Sequence, residues 1–314
     1  MIGFVLTRMG GAVLVLLGAS FLTFLLMELA PGDALLAIAK ARFGDSVSLD
    51  EESLARIRSV AGLDQPFLIR YARWVGDLLQ LDLGRSLIDG RPVADLMAER
   101  FGRTVELALA AIAVTALLSI PLGLMAGLFQ GTWFDSLCVS VATLGSAMPN
   151  YWLGILLILV FSVWLAVFPA FGRGDFEHLV LPALTLGSGV AVTTARLLRA
   201  ATIEAMAASH IAAARGRGLS ETRIVGRHAV RNALVPVVTV FALELAFLLE
   251  GAVAVEYVFG WNGLGLLFVE AVDARDYPVI QAIVLLFAVL FVAINLAVDL
   301  VTFWLDPRTR EGAA

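Results

Sequence analysis

The sequence predicts an all-α membrane protein with six transmembrane helices, both termini cytoplasmic, and a short helical extracytoplasmic insert between the first and second helices. Three observations predict this class. Hydrophobic residues make up 60% of the chain and charged residues 16%, against roughly a quarter charged in soluble domains, and the mean hydropathy is +0.90. Apolar runs approaching or exceeding the ~20 residues that a helix needs to cross the hydrocarbon core recur along the chain. Arginines and acids are also shared unevenly among the connecting loops, in the manner of the positive-inside rule.

Composition narrows the remaining classes. The formal charge of −5 offers no basic field for nucleic acid. Cys138 is the single cysteine and lies within an apolar run, which excludes an intramolecular disulfide or a cysteine metal cluster and reads as a packing residue. The 314 residues form one membrane domain, 1–314.

Helix 1 is expected at 5–29. Its run from Met9 to Met27 is longer than the apolar core of a secretory signal, and further spans follow it, so it reads as a retained helix. The insert, 31–103, carries many arginines, but long loops translocate regardless of charge. It contains two amphipathic patterns. Ser48 and Glu51 form a capping box ahead of Leu54, Ile57 and Ala61 on one face, with Gly62 as the stop. After Pro66, a second stripe comprises Phe67, Tyr71, Trp74, Leu78 and Leu79. Two short helices over the outer mouth of the bundle are expected, with substrate contact by the second stripe as the alternative.

Helix 2 is expected at 105–129, uncharged from Leu107 to Leu128, with Gly123, Gly127 and Gly131 spaced for close helix approach. Helix 3, at 136–169, contains Pro149-Asn150, which allows either a kink or a hairpin turn. Charge decides for a single kinked span, because a hairpin would move the most basic loop outside. Helix 4 is expected at 179–199, helix 5 at 233–255 and helix 6 at 278–303. Between helices 4 and 5, Arg196, Arg199, Arg215, Arg217, Arg223, Arg227 and Arg231 stand against Glu204 and Glu221, and the loop 200–232 is placed in the cytoplasm. Glu256, Glu270, Asp273 and Asp276 face only Arg275 between helices 5 and 6, which places that connection outside.

Chemistry is sparse. The lone lysine, Lys40, lies between Ala39 and Ala41, so no phosphate-binding loop of the Gly-Lys-Ser/Thr type exists. His178, His210 and His228 have no metal-ligand spacing, and no Gly-x-Ser-x-Gly elbow occurs. Catalysis and metal binding are therefore unsupported. Glu244 and Glu250 interrupt helix 5 and are expected in a pathway or in pairing. Their spacing of six puts them on different faces, which disfavours a proton relay.

The basic loop is the more specific feature. Ala212 to Ala214 favour helix and lead into Arg215, Gly216 and Gly218 break it, and Ser220 is placed to cap a second helix with Glu221 in its first turn. This makes a helix–glycine–helix knob. A solvated connector that merely fixes topology and a docking surface for another protein both fit the charges; the small side chains and glycine corner favour docking.

The chain resembles the permease family of bacterial ABC importers for dipeptides, oligopeptides and nickel. The resemblance covers nearly the whole length and rests on ordered motifs: Gly62-Leu-Asp-Gln-Pro66, Asp82-Leu-Gly-Arg-Ser86, Thr104-Val-Glu-Leu-Ala108, Pro149-Asn-Tyr-Trp-Leu-Gly154 and His178-Leu-Val-Leu-Pro182, then Ala195-Arg-Leu-Leu-Arg199, Arg227-His-Ala-Val-Arg-Asn-Ala-Leu-Val-Pro236, Arg275-Asp-Tyr-Pro278 and Asp306-Pro-Arg308. It implies a bacterial inner-membrane translocation subunit that binds no cofactor of its own. The implied partners are a second related permease, two ATPase subunits carrying ATP and Mg, and an extracytoplasmic solute-binding protein. It also implies that the knob is the family's EAA loop and coupling helix, with ATPase-coupling residues Ala212, Ala213, Ala214, Arg215, Arg217, Gly218, Leu219 and Ser220. The sequence departs from the family pattern in having Ala212 where Glu is common, a longer interval from Gly218 to Pro236 than in sugar importers, and Asn262 where relatives often have proline. The implied solute is peptide-like, with nickel or a nickel chelate as the alternative. An ion-coupled secondary transporter using Glu244 or Glu250 is the reading from another class.

Overall fold

The computed structural model describes residues 2–30, 34–43, 55, 58–59 and 64–305, all but the connecting turns and loops helical. In chain order the described helices are α1 (Ile2–Leu29), α2 (Ala34–Phe43), α3 (Phe67–Leu79), α4 (Val93–Leu128), α5 (Trp133–Ala147) and α6 (Asn150–Leu157). They continue with α7 (Phe176–Ala207), α8 (Ser209–Gly216), α9 (Glu221–Ile224), α10 (Val230–Phe259), α11 (Leu264–Ala274) and α12 (Tyr277–Leu305). Wider, π-type turns extend α6 over Ile158–Trp164 and join α9 to α10 over Val225–Ala229. Among the described residues, α1, α4, α7 and α12 are long and apolar enough to cross a membrane, and two bent helix pairs bring the number up to six. The capping box at Ser48 and Glu51 lies outside the described residues.

The chain divides into two units. The first holds residues 1–103 and 262–296. In it, Pro66 is the N-cap of α3, where its missing N–H is no loss. The Phe67, Tyr71 and Trp74 stripe lies against α1: Phe21 meets Phe67 and Tyr71 at 5.7 and 5.4 Å between ring centroids, and Phe24 meets Trp74 at 5.6 Å. The edge-to-face geometry of the two Phe21 pairs adds to area burial. The Ser20 and Tyr71 hydroxyls share a 3.0 Å hydrogen bond, and Arg70 pairs with Glu28. Leu79, expected in the stripe, is instead 81% exposed, because the five-residue interval from Trp74 carries it past the α1 contact face.

The core of this unit joins Val93, Leu96 and Met97 of α4 to Leu264 and Leu267 of α11 and Ile280 and Ile283 of α12. Of the acids expected in the outer connection, Glu256 and Asp276 are buried, and Glu270 and Asp273 are exposed. Asp276 is buried and accepts hydrogen bonds from the Ser86 hydroxyl at 2.5 Å and the Leu87 amide at 3.0 Å. Burial nevertheless holds its carboxyl above the ordinary range, with those two bonds acting in opposition. Glu270, on α11, pairs with Arg100 of α4 at 2.9 Å.

The second unit holds residues 104–261 and 297–312. Its core packs Leu107 and Ala111 of α4, Leu181, Leu186 and Val190 of α7, and Leu248, Ala252 and Val255 of α10. The close approach of α4 to α7 is made by glycine. A Cβ at Gly187 would stand 2.5 Å from the Ala111 carbonyl oxygen, one at Gly123 2.8 Å from the Ala195 carbonyl oxygen, and one at Gly127 2.6 Å from Thr202 Cβ. Gly131 does not share this role: it follows the helix, at φ +79°, in the turn before α5. Glu256 lies within α10, is fully buried, and accepts the Thr104 hydroxyl at 2.7 Å.

The segment expected as one kinked helix bends by 106° between α5 and α6. Proline dictates the break. Met148, ahead of Pro149, is pushed to extended backbone (φ −96°, ψ 127°), and α6 starts at Asn150.

Candidate functional site

The basic segment is shorter as a loop than its sequence suggests, because Arg196 and Arg199 lie within α7, and Arg231 within α10. Ala208 adopts extended backbone and ends α7, after which α8 buries Ile211 and Ala214, three residues apart on one face. These side chains join Leu198 and Ala205 of α7, Ile224 of α9, and Ala233 and Val237 of α10. Ala214 is therefore a core residue of the knob. Ala212, Ala213, Arg215, Gly216, Arg217, Gly218 and Ser220 are exposed, and Leu219 is half-buried.

The glycine corner closes with the Gly218 amide on the Arg215 carbonyl at 2.9 Å and the Leu219 amide on the Ala214 carbonyl at 3.3 Å. Gly218 itself sits at φ +75°, a conformation glycine adopts at little cost. Ser220 stands immediately before α9 but makes no side-chain capping bond; its carbonyl accepts the Arg223 and Ile224 amides. The corner is clamped by Arg215, which donates from Nε and Nη2 to the two carboxylate oxygens of Glu221 at 2.6 and 3.2 Å. This fork holds the Glu221 carboxyl below its ordinary range and the Arg215 guanidinium above its own.

A second pin lies beside Arg199. Asp135 is 4% exposed and accepts Arg199 Nε at 2.5 Å, Arg199 Nη2 at 2.8 Å and the Gly131 amide at 3.0 Å, tying the start of α5 to α7. Sequence reading missed this pair. Its signal is Thr132 followed three residues later by Asp135, a capping-box spacing at the head of an apolar run. Thr132 is indeed the N-cap of α5.

Glu244 sits midway along α10, half-buried, on a cavity of about 290 Å³ lined also by Gly145, Ser146, Asn150, Gly189 and Thr193. The Glu250 side chain lies outside the described residues. The knob and the cavity are joined by two continuous helices. α7 supplies Leu198 and Ala205 to the knob core and Gly189 and Thr193 to the cavity, and α10 supplies Val237 and Glu244. Val237 and Glu244 are seven helical steps apart, a rise of about 10 Å.

Apolar helices long enough to cross a membrane up to six times, with a polar cavity among α5, α6, α7 and α10, define a membrane-embedded transport subunit. Residues 119–311 match the family described as binding-protein-dependent transport system inner membrane component, and residues 1–108 match the N-terminal component of the same systems. The chain is 39% identical over 310 residues to the glutathione transport system permease protein GsiC of Salmonella paratyphi A, and 38% identical to that of Escherichia coli strain K12, covering 99% of each chain. Among solved structures, the inward-facing MetNI methionine ABC transporter matches with a TM-score of 0.57 at 18% identity, over 67% of this chain and 96% of the other. An amino acid ABC transporter with histidines matches at 0.53 and 15%, over 66% and 92%.

The chain belongs to the binding-protein-dependent transport system inner membrane component family. It is a multi-pass inner-membrane permease subunit of an ABC importer, a translocation component rather than an enzyme, and ATP hydrolysis in such systems belongs to separate subunits.

Proposed function

We propose that this permease forms half of the translocation pathway for a peptide-like solute. The other half is a second related permease; two ATPase subunits, carrying ATP and Mg, dock at the knob on the cytoplasmic side, and an extracytoplasmic solute-binding protein delivers the solute. The observation that carries the solute class is the 38–39% identity, over nearly the full length, to permeases named for glutathione, a small peptide. Docking at the knob is supported by its exposed Ala212, Ala213 and Arg217 around the glycine corner. Two helices leave that corner and reach the Glu244 cavity, so movement of the knob by the ATPases is transmitted as rigid-body motion rather than absorbed by loops.

Gly216 offers the clean test. It ends α8 at negative φ, and a Cβ there meets nothing within 4 Å. Gly216→Leu therefore leaves this chain's fold intact and raises helix propensity, yet it puts a bulky side chain where the ATPase contacts the knob. In the reconstituted transporter, ATP-driven uptake is expected to fall at least ~10-fold, equivalent to about 1.4 kcal/mol of coupling, with hydrolysis no longer responding to loaded binding protein. Unchanged uptake overturns the docking assignment.

A further inference from the structure

Glu244 is a carboxylate in the middle of a 30-residue apolar helix, and among the described residues it has no ion pair or hydrogen bond. An ionisable group at that depth is costly without a partner, so its surroundings identify what it serves. The break between α5 and α6 brings two of those surroundings into place. Gly145, Ser146 and Met148 come from the last turn and C-cap of α5, and Asn150 is the first residue of α6, so the negative end of one helix dipole and the positive end of the other oppose each other here and leave the Glu244 carboxylate as the charge that decides. α7 completes the wall with Gly189 and Thr193.

The polar groups form an acceptor-rich set. The Ser146 hydroxyl donates to the Ala142 carbonyl at 2.8 Å, which leaves its lone pairs for the cavity. The Asn150 carboxamide lies in space that glycine leaves open: a Cβ at Gly189 would come within 2.6 Å of its Oδ1. Carboxylate, carboxamide oxygen and hydroxyls together suit a group that only donates hydrogen bonds and carries positive charge.

We infer that the Glu244 cavity is a way-station for the ammonium group of the transported solute, with Glu244 as counter-ion and Asn150, Ser146 and Thr193 as acceptors. The ammonium assignment rests on the importer reading; the charge preference of the cavity does not. In such a role the carboxylate neutralises the solute's amine as it passes the apolar interior and releases it as the surrounding helices move.

The charge preference is measurable without knowing the solute. In the assembled transporter, Thr193→Cys in a Cys138→Ser background supplies a single thiol on the cavity wall. Its rate of modification by an ammonium-bearing methanethiosulfonate is expected to exceed that by a sulfonate-bearing one, after correction for intrinsic reactivity, by ~10-fold. Adding Glu244→Gln is expected to bring the ratio near unity. A ratio near unity with Glu244 present, no modification at all, or a ratio that survives Glu244→Gln each overturns the inference. In parallel, Glu244→Gln is expected to lower uptake of an amine-bearing solute such as glutathione by ~10-fold while ATP hydrolysis still responds to loaded binding protein, with Glu244→Asp restoring part of the loss. Unaltered uptake also overturns the inference. If the wild-type complex shows no ATP-driven uptake, the importer reading fails instead, and the reagent ratio still decides the charge preference.

Discussion

Asp135 shows how one short side chain can fix a membrane helix in place. It is nearly inaccessible and its two oxygens are satisfied by Arg199 and the Gly131 amide, so removing it strands a guanidinium that is 28% exposed. Asp135→Ala is expected to destabilise the protein by about 2–3 kcal/mol, and Asp135→Asn by less, as read by thermal unfolding in detergent. An unchanged midpoint for the alanine variant would show the pair to be ornamental. At this scale the sequence was only partly legible. The glycine corner was readable because glycine at a helix end has few other uses, and Gly218 does adopt φ +75°. The inward turn of Ala214 was not, because alanine is equally at home in a core and on a surface, and only the packing of α8 against α7 and α10 distinguishes the two. Glu256 and Asp276 read as loop acids, since sequence shows charge but not the Thr104 and Ser86 hydroxyls that let them be buried.

Elements pack here through small residues and anchored turns. α4 and α7 meet so closely at Gly187 that a single methyl group would collide with the Ala111 carbonyl, and the Thr115 hydroxyl bonds the Gly187 carbonyl at 2.9 Å. Gly187→Ala is accordingly expected to cost about 1–3 kcal/mol through overpacking, whereas Gly102→Ala, with nothing within 4 Å of its Cβ, is expected to be neutral or stabilising. Equal effects in a thermal scan would remove close packing as the explanation. The turn held by Asp276 should respond to pH. Its carboxyl is raised by burial, so the folded state keeps the proton better than the unfolded chain. That contribution is complete below the ordinary carboxylate value of about 3.9 and is lost as pH rises through the raised value. The protection of the Leu87 amide against hydrogen exchange, taken relative to the intrinsic rate at each pH, is expected to fall over that rise in the wild type and to be independent of pH in Asp276→Asn, whose amide oxygen still accepts the Leu87 N–H. α3 was legible as an amphipathic helix because its aromatic period is distinct. Its partner, α1, is apolar all round, and such a helix does not announce which face will be covered.

For the whole molecule, hydropathy and charge distribution were enough to reach a multi-pass permease, and the family match along both halves of the chain confirms that class. The 106° break was not legible as an angle, because Pro149 signals interruption without direction. Purification supplies a test at this scale. The tagged chain, co-expressed with its natural neighbours and extracted in mild detergent, is expected to bring down a second permease and an ATPase. A chain that purifies alone and supports ion-driven uptake in liposomes would instead be a secondary transporter.

The wide turn Val225–Ala229, between the knob and α10, also sets an angle. A π-type turn accommodates one residue more than the α-helix it interrupts, and each residue corresponds to about 100° of rotation. The turn therefore acts as a phase setting: where α10 leaves the knob decides the compass bearing of every side chain above it. Deleting a single residue there would leave composition, hydropathy and charge almost untouched, yet it would swing Glu244 about a quarter-turn away from Asn150 and Thr193. The molecule's most consequential spacing is thus one residue wide and lies well away from the cavity it aims.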